Sequence, residues 1–133
     1  VRTPTYHVFE MNTGHHDAAS LTVHLRDVPT VESDGRTLGL VSVTASTTED
    51  SALVSLSNLD LDAPAEVVLD LRGRTARCRG ARILTAPTPS SHNTPADPCA
   101  VAPVAFDGVR EHPRGLSVEL PPHSYVTAEL QLT

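Results

Sequence analysis

Sixteen carboxylates and seven histidines give this chain the side chains from which acid–base or metal chemistry is made, yet their spacing assembles neither. The densest histidine group is His15-His16-Asp17. Neighbouring side chains just past a helix end diverge, whereas a structural zinc site takes four ligands at recognisable spacing, so these read as helix-terminal histidines favoured by the helix dipole. Asp60-Leu61-Asp62 offers oxygens in alternation but lacks the glycine and distal glutamate of a dedicated calcium loop, and reads as a turn. No metal and no cofactor is expected. Cys78 and Cys99 stand 21 positions apart and leave two readings open. A disulfide between them would contribute about 3 kcal/mol in the loop-entropy model; two buried thiols satisfy the sequence equally well, because pairing depends on Cα separation and not on spacing.

Charge excludes other classes. The net charge is −6 and there is no lysine, so ten arginines are the only permanent cations, and such an acidic chain makes a poor nucleic-acid binder. Five arginines cluster as Arg72, Arg74, Arg77, Arg79 and Arg82. Their odd and even positions split them across two strand faces and a turn, which favours a solvated edge strand guarded by charge over an anion site. No run of residues approaches the length of a membrane span, so no membrane partner is expected. The chain opens without a charged leader and apolar core, and its beginning carries no information about secretion, which leaves cytoplasmic and secreted locations both open.

These residues must be positioned by strands. Helix signals occur only at the start: Thr3 is a good N-cap, Pro4 suits the first helical position, and Gly14 offers a left-handed stop, for a helix of about two to three turns. Tyr6 and Phe9, three apart, share a face with Val8 and Met11 beside them. Near Ala18 the pattern switches to period two. Strands are expected at residues 21–25, 38–45, 53–57, 65–71, 76–84, 116–120 and 125–132, with turns at Ser33-Asp34-Gly35-Arg36 and Thr48-Glu49-Asp50-Ser51. The second turn closes a hairpin. From Pro87 to Pro98, four prolines with Ser, Asn and Asp make a polar loop. The architecture implied is all-β, a β-sandwich or jelly roll built on Val, Leu and Ala, with only Tyr6, Phe9, Phe106 and Tyr125 as aromatics.

The opening run Thr3-Pro4-Thr5-Tyr6-His7-Val8-Phe9-Glu10-Met11 resembles the last helix of the catalytic barrel in family 51 α-L-arabinofuranosidases, where it leads into a C-terminal β-sandwich. Asn58-Leu59-Asp60, residues 82–87, His92-Asn93-Thr94, residues 103–108 and Leu120-Pro121-Pro122-His123-Ser124 continue the resemblance in the family's order. Asn12 stands where the family usually has tyrosine and His16 where it has glutamine, and neither cysteine belongs to the pattern. The resemblance implies two regions: residues 1–17 as the end of a (β/α)8 barrel with its linker, and residues 18–133 as a jelly-roll-like sandwich. Tyr6, Val8, Phe9 and Met11 become candidates for the interface with the barrel, and the proline-rich loop is expected to lie against it.

Retaining glycosidases need two carboxylates about 5 Å apart at the open end of a barrel. The family places both upstream of this helix. Glu10, Glu32, Glu49, Glu66, Glu111, Glu119 and Glu129 match no catalytic motif, so no catalytic residue is assigned. The expected partners are the barrel of the same enzyme and further copies in a homo-oligomer. A free-standing carbohydrate-binding module is the alternative, and it suffers from the lack of tryptophan and from Tyr125 being the sole tyrosine of the sandwich region, in a strand where core packing is expected.

Overall fold

A computed structural model describes all residues from Val1 to Thr133. Helix α1 (Pro4–Met11) passes through a 3-10 turn (Thr13–His15) into eleven strands: β1 (Ala19–Leu21), β2 (Thr30–Ser33), β3 (Arg36–Gly39), β4 (Val41–Thr48), β5 (Ser51–Asn58), β6 (Ala65–Leu69), β7 (Ala76–Leu84), β8 (Val104–Ala105), β9 (Val109–His112), β10 (Gly115–Leu120) and β11 (Ser124–Leu132). A six-stranded antiparallel sheet runs in the order β1-β4-β5-β11-β7-β8 and faces a three-stranded sheet, β6-β10-β9, while β2 and β3 pair only with each other. The fold is the expected β-sandwich.

Alternation explains which side is buried. Val41, Val54, Leu56, Val126, Ala128, Leu130 and Ile83 come from one face of the large sheet and pack against Leu116, Val118 and Leu120 of β10 to form one aliphatic cluster. In this cluster Leu56, Val118, Leu120, Val126, Ala128 and Leu130 have no solvent exposure, which explains how so few aromatics suffice. The hand-over to β10 requires a glycine: Gly115 has φ +144°, and a Cβ there would stand 2.1 Å from the Leu69 carbonyl oxygen.

Several boundaries differ from the sequence reading. The run expected as one strand over 38–45 is broken at Leu40, whose amide turns to the Pro29 carbonyl at 2.8 Å, so that β3 joins a separate ribbon and β4 starts afresh at Val41. Of the strand expected over 21–25 only Leu21 pairs, as the last residue of β1 (Ala19–Leu21) against Ala45–Thr47. Strands β2, β8 and β9 went unpredicted because they are two to four residues long and show little alternation. The Asp34-Gly35 turn has positive φ at both residues, 50° and 73°, as a two-residue hairpin of the right twist requires. Gly14 does not stop the helix in a left-handed conformation; the positive φ falls at Asp17, and Gly14 is small because a Cβ would press to 3.0 Å from a Leu53 methyl.

Candidate docking interface

Helix α1 lies across the outer face of the large sheet, the face that strand alternation assigns to solvent. Its start is capped as its sequence requires: the Thr3 hydroxyl oxygen accepts from the Tyr6 amide at 3.2 Å, with Pro4 following where no donor is needed. The outer positions of β4, β5 and β11 include Ser46, Ser55, Tyr125 and Thr127. Ser46, Ser55 and Thr127 are nonetheless buried. Ser46 and Ser55 are covered by Asn12 at the helix end and His15 of the 3-10 turn.

What holds the helix there is a polar chain. The Asn12 side-chain amide donates to the Val8 carbonyl at 2.7 Å and to the Tyr125 hydroxyl at 2.7 Å, while its oxygen accepts from the Ser55 hydroxyl at 2.7 Å. The His15 ring is gripped on both sides, Nδ1 lying 2.5 Å from Ser46 Oγ and Nε2 2.9 Å from Ser55 Oγ. Because Ser55 gives its single proton to Asn12, it can only accept from His15. Nε2 therefore carries the ring proton and Nδ1 accepts from Ser46, an assignment that rests on donor counting. Burial lowers the His15 pKa from the usual 6.5, because the charged ring would lose hydration. At the flank, Arg82 reaches Glu10 at 3.1 and 3.2 Å, a half-exposed ion pair that contributes little by itself.

Apolar contacts complete the seat and divide the four predicted interface residues. Met11 is 3% exposed and packs with Leu84 and Val101, with Val8, Ala86 and Tyr125 around it. Met11 is thus engaged within this chain, a correction to its expected place on an outward face; Val8 sits partly buried on the same side, three residues back. Tyr6 and Phe9 form the opposite pair. Phe9 is 75% exposed, and Tyr6 is exposed beneath the Arg2 guanidinium, which stands 4.9 Å from its ring centroid. Tyr125 also departs from expectation: it belongs to the helix seat and not to the aliphatic core.

The proline-rich loop braces the entry of the helix. Asn93 donates to the Arg2 carbonyl and to the Val101 carbonyl, both at 2.8 Å, and accepts from the Val101 amide. The cysteines do not pair here, and both are exposed. Cys78 lies opposite Leu130, whereas the loop carrying Cys99 is fixed by Val101 near Leu84 at the other end of β7. Six residues of strand separate these points, roughly 20 Å, against the 7 Å or less that a disulfide spans. In the arginine cluster, β8 pairs with Arg82 and Ile83 and the Phe106 amide bonds the Ala81 carbonyl at 2.9 Å, so the pairing on the outer edge of β7 covers only its C-terminal end and leaves residues 76–80 without a partner strand there. Arg72, Arg74, Arg77 and Arg79 are exposed, the charged edge that the sequence implied.

The family model for the α-L-arabinofuranosidase C-terminal domain matches residues 1–124. An intracellular exo-α-L-arabinofuranosidase of Bacteroides ovatus is 38% identical over 132 residues, covering 98% of this chain and 26% of that protein. Among solved structures, the GH51 arabinofuranosidase from Xanthomonas axonopodis pv. citri is similar with a TM-score of 0.90 at 39% identity, covering 98% of this chain and 27% of that one. A family 51 α-L-arabinofuranosidase from Bifidobacterium longum gives a TM-score of 0.86 at 21% identity over 98% of this chain and 26% of that one, a likeness of fold. The chain spans about a quarter of the length of these relatives.

Proposed function

This chain belongs to the C-terminal domain of family 51 α-L-arabinofuranosidases, and from that premise we propose that it is the non-catalytic sandwich which carries and buttresses the last helix of a catalytic barrel. The observation that supports this role most directly is the two-sided helix. A surface helix of eight residues needs one apolar stripe, yet α1 spends Val8 and Met11 on its own sheet and still presents Phe9 and Tyr6 outward. A helix apolar on opposite sides is a helix between two surfaces. The sandwich supplies one of them, and the barrel of the same polypeptide supplies the other.

The whole enzyme then releases terminal α-L-arabinofuranosyl residues from arabinan or arabinoxylan with retention, through two barrel carboxylates about 5 Å apart that lie outside this chain. Residues 1–17 form the barrel's last helix and linker, residues 18–133 hold it in place, and oligomer contacts run through the parent. The chain by itself catalyses nothing. Mixing it with the separately produced upstream portion of its parent tests the proposal: the two should co-elute, and hydrolysis of an aryl α-L-arabinofuranoside should need the upstream portion. Turnover by the 133-residue chain alone, freed of any upstream fragment, would overturn the assignment. Saturable sub-millimolar binding of an arabino-oligosaccharide by the chain alone would favour a carbohydrate-binding module instead.

A further inference from the structure

The ribbon β2–β3 is the least supported element of the fold. It hydrogen-bonds only to itself, in the register Thr30↔Gly39 to Ser33↔Arg36, and every one of its residues is exposed. An isolated two-stranded ribbon is marginal in water. This one also turns an apolar pair to solvent: Val31 and Leu38 are cross-strand partners on one face, Leu38 at 53% exposure, and Leu59 lies exposed at the ribbon's base, where its amide bonds the Leu40 carbonyl at 2.7 Å.

We propose that this ribbon is a second grip on the upstream catalytic domain, engaged together with the outward face of α1. The inference rests on the docking role proposed above and adds a place and a set of residues to it. The relatives run to about four times the length of this chain, which matches the family model of a C-terminal domain, so in them a large body of polypeptide lies beside the counterpart of this sandwich. Val1 and the ribbon lie at the same end of the large sheet. The start of α1 is held by Asn93, in the loop anchored through Val101 to Leu84. Leu84 is opposite Tyr125, the adjoining Ser124 is opposite Asn58, and Asn58 is opposite Val41, from which the ribbon springs. Those are three strand spacings, roughly 14 Å. A domain several times larger than this one, seated on Phe9 at one edge, reaches the other edge of the same sheet end. A second copy of this chain is the competing occupant, but continuity with the α1 face favours the upstream domain.

Hydrogen exchange tests the inference on the 133-residue chain at two concentrations and on the complete enzyme. The expected result is slowing of at least about tenfold at residues 30–39 and across α1 in the complete enzyme, with no concentration dependence in the shorter chain. Slowing at α1 without slowing at 30–39 would overturn the ribbon proposal and leave the docking role standing. Slowing at neither would overturn both. Protection of 30–39 that grows with concentration of the shorter chain, accompanied by a dimer mass, would assign the ribbon to a second copy and overturn the proposal. In the complete enzyme, L38S should restore fast exchange at the ribbon and leave α1 slow; because Leu38 is mostly exposed, this change does not touch the core.

Discussion

Replacing Asn12 by alanine removes the link between the helix and the sheet and should release α1 while the sandwich stays folded. The side chain bonds three groups: the Val8 carbonyl and the Ser55 hydroxyl at 2.7 Å each, and the Tyr125 hydroxyl, which lies 2.7 Å from its nitrogen and 3.0 Å from its oxygen. Each such bond contributes about 1 kcal/mol net, and a buried donor left without an acceptor costs about 1–3 kcal/mol. Val8 and Tyr125 are part-exposed and can turn to water. Ser55 is 3% exposed and cannot, although a change of tautomer at His15 would let it donate to Nε2 instead. That escape keeps the cost near the lower end, about 2–3 kcal/mol. The Asn12, His15 and His16 amides, which bond backbone carbonyls at the helix end, should therefore exchange roughly 30- to 160-fold faster in N12A, with strand amides around Val54 and Val126 unchanged. Tyr125→Phe should do less, by about 1 kcal/mol, and should lose most of that effect in the N12A background because both remove the same contact between the Tyr125 hydroxyl and the Asn12 amide. Exchange of those helix-end amides within about threefold of wild type in N12A would show that the polar chain does not hold the helix.

Two further outcomes follow from single residues. Burial depresses the His15 pKa below its unfolded value of 6.5, so the folded seat binds fewer protons in the window beneath that value; its stability is fully present above pH 6.5 and declines as pH falls towards the folded pKa, a slope that His15→Gln should flatten in urea titrations at pH 5 and 7. Gly115→Ala places a Cβ 2.1 Å from the Leu69 carbonyl oxygen at φ +144°, and should destabilise the domain by about 3 kcal/mol or more, seen as a lower urea midpoint; a midpoint shift smaller than that of Gly73→Ala, where the space is open, would refute the clash.

The sandwich was legible because its strands obey alternation and its turns use the residues their dihedrals demand. Ser33-Asp34-Gly35-Arg36 reads as a turn and closes β2 on β3, and residues 76–84 and 125–132 read as strands, found as the neighbours β7 and β11. What stayed hidden depends on contacts between distant segments. Leu40 carries no local sign that its amide will leave the strand for Pro29. The outward face of α1 was legible in Tyr6 and Phe9, but the inward role of Met11 depends on Leu84 and Val101, more than seventy residues away in sequence. His15, legible in the sequence as a helix-terminal histidine, acts as a bridge between two serines, and no spacing rule signals a hydroxyl on each side of a ring.

The outer face of the large sheet also explains why alternation misleads about it. Ser46 and Ser55 sit where a half-wet strand places polar residues, and they remain polar although they are buried, because the surface that covers them ends in Asn12 and His15. An apolar seat would have bound the helix through area alone and tolerated sliding along its axis. Hydroxyls answered one by one by an amide and an imidazole fix both the height and the rotation of the helix, since a shift by one residue would leave buried donors unpaired. Fixing the rotation is what keeps Phe9 outward. If the helix turned about its axis to bury Phe9 and Tyr6, Val8 and Met11 would face the solvent in their place, and apolar area alone would not oppose the turn because the aromatic pair is the larger one. The polar chain therefore selects which of two apolar faces the sandwich keeps and which it leaves outward.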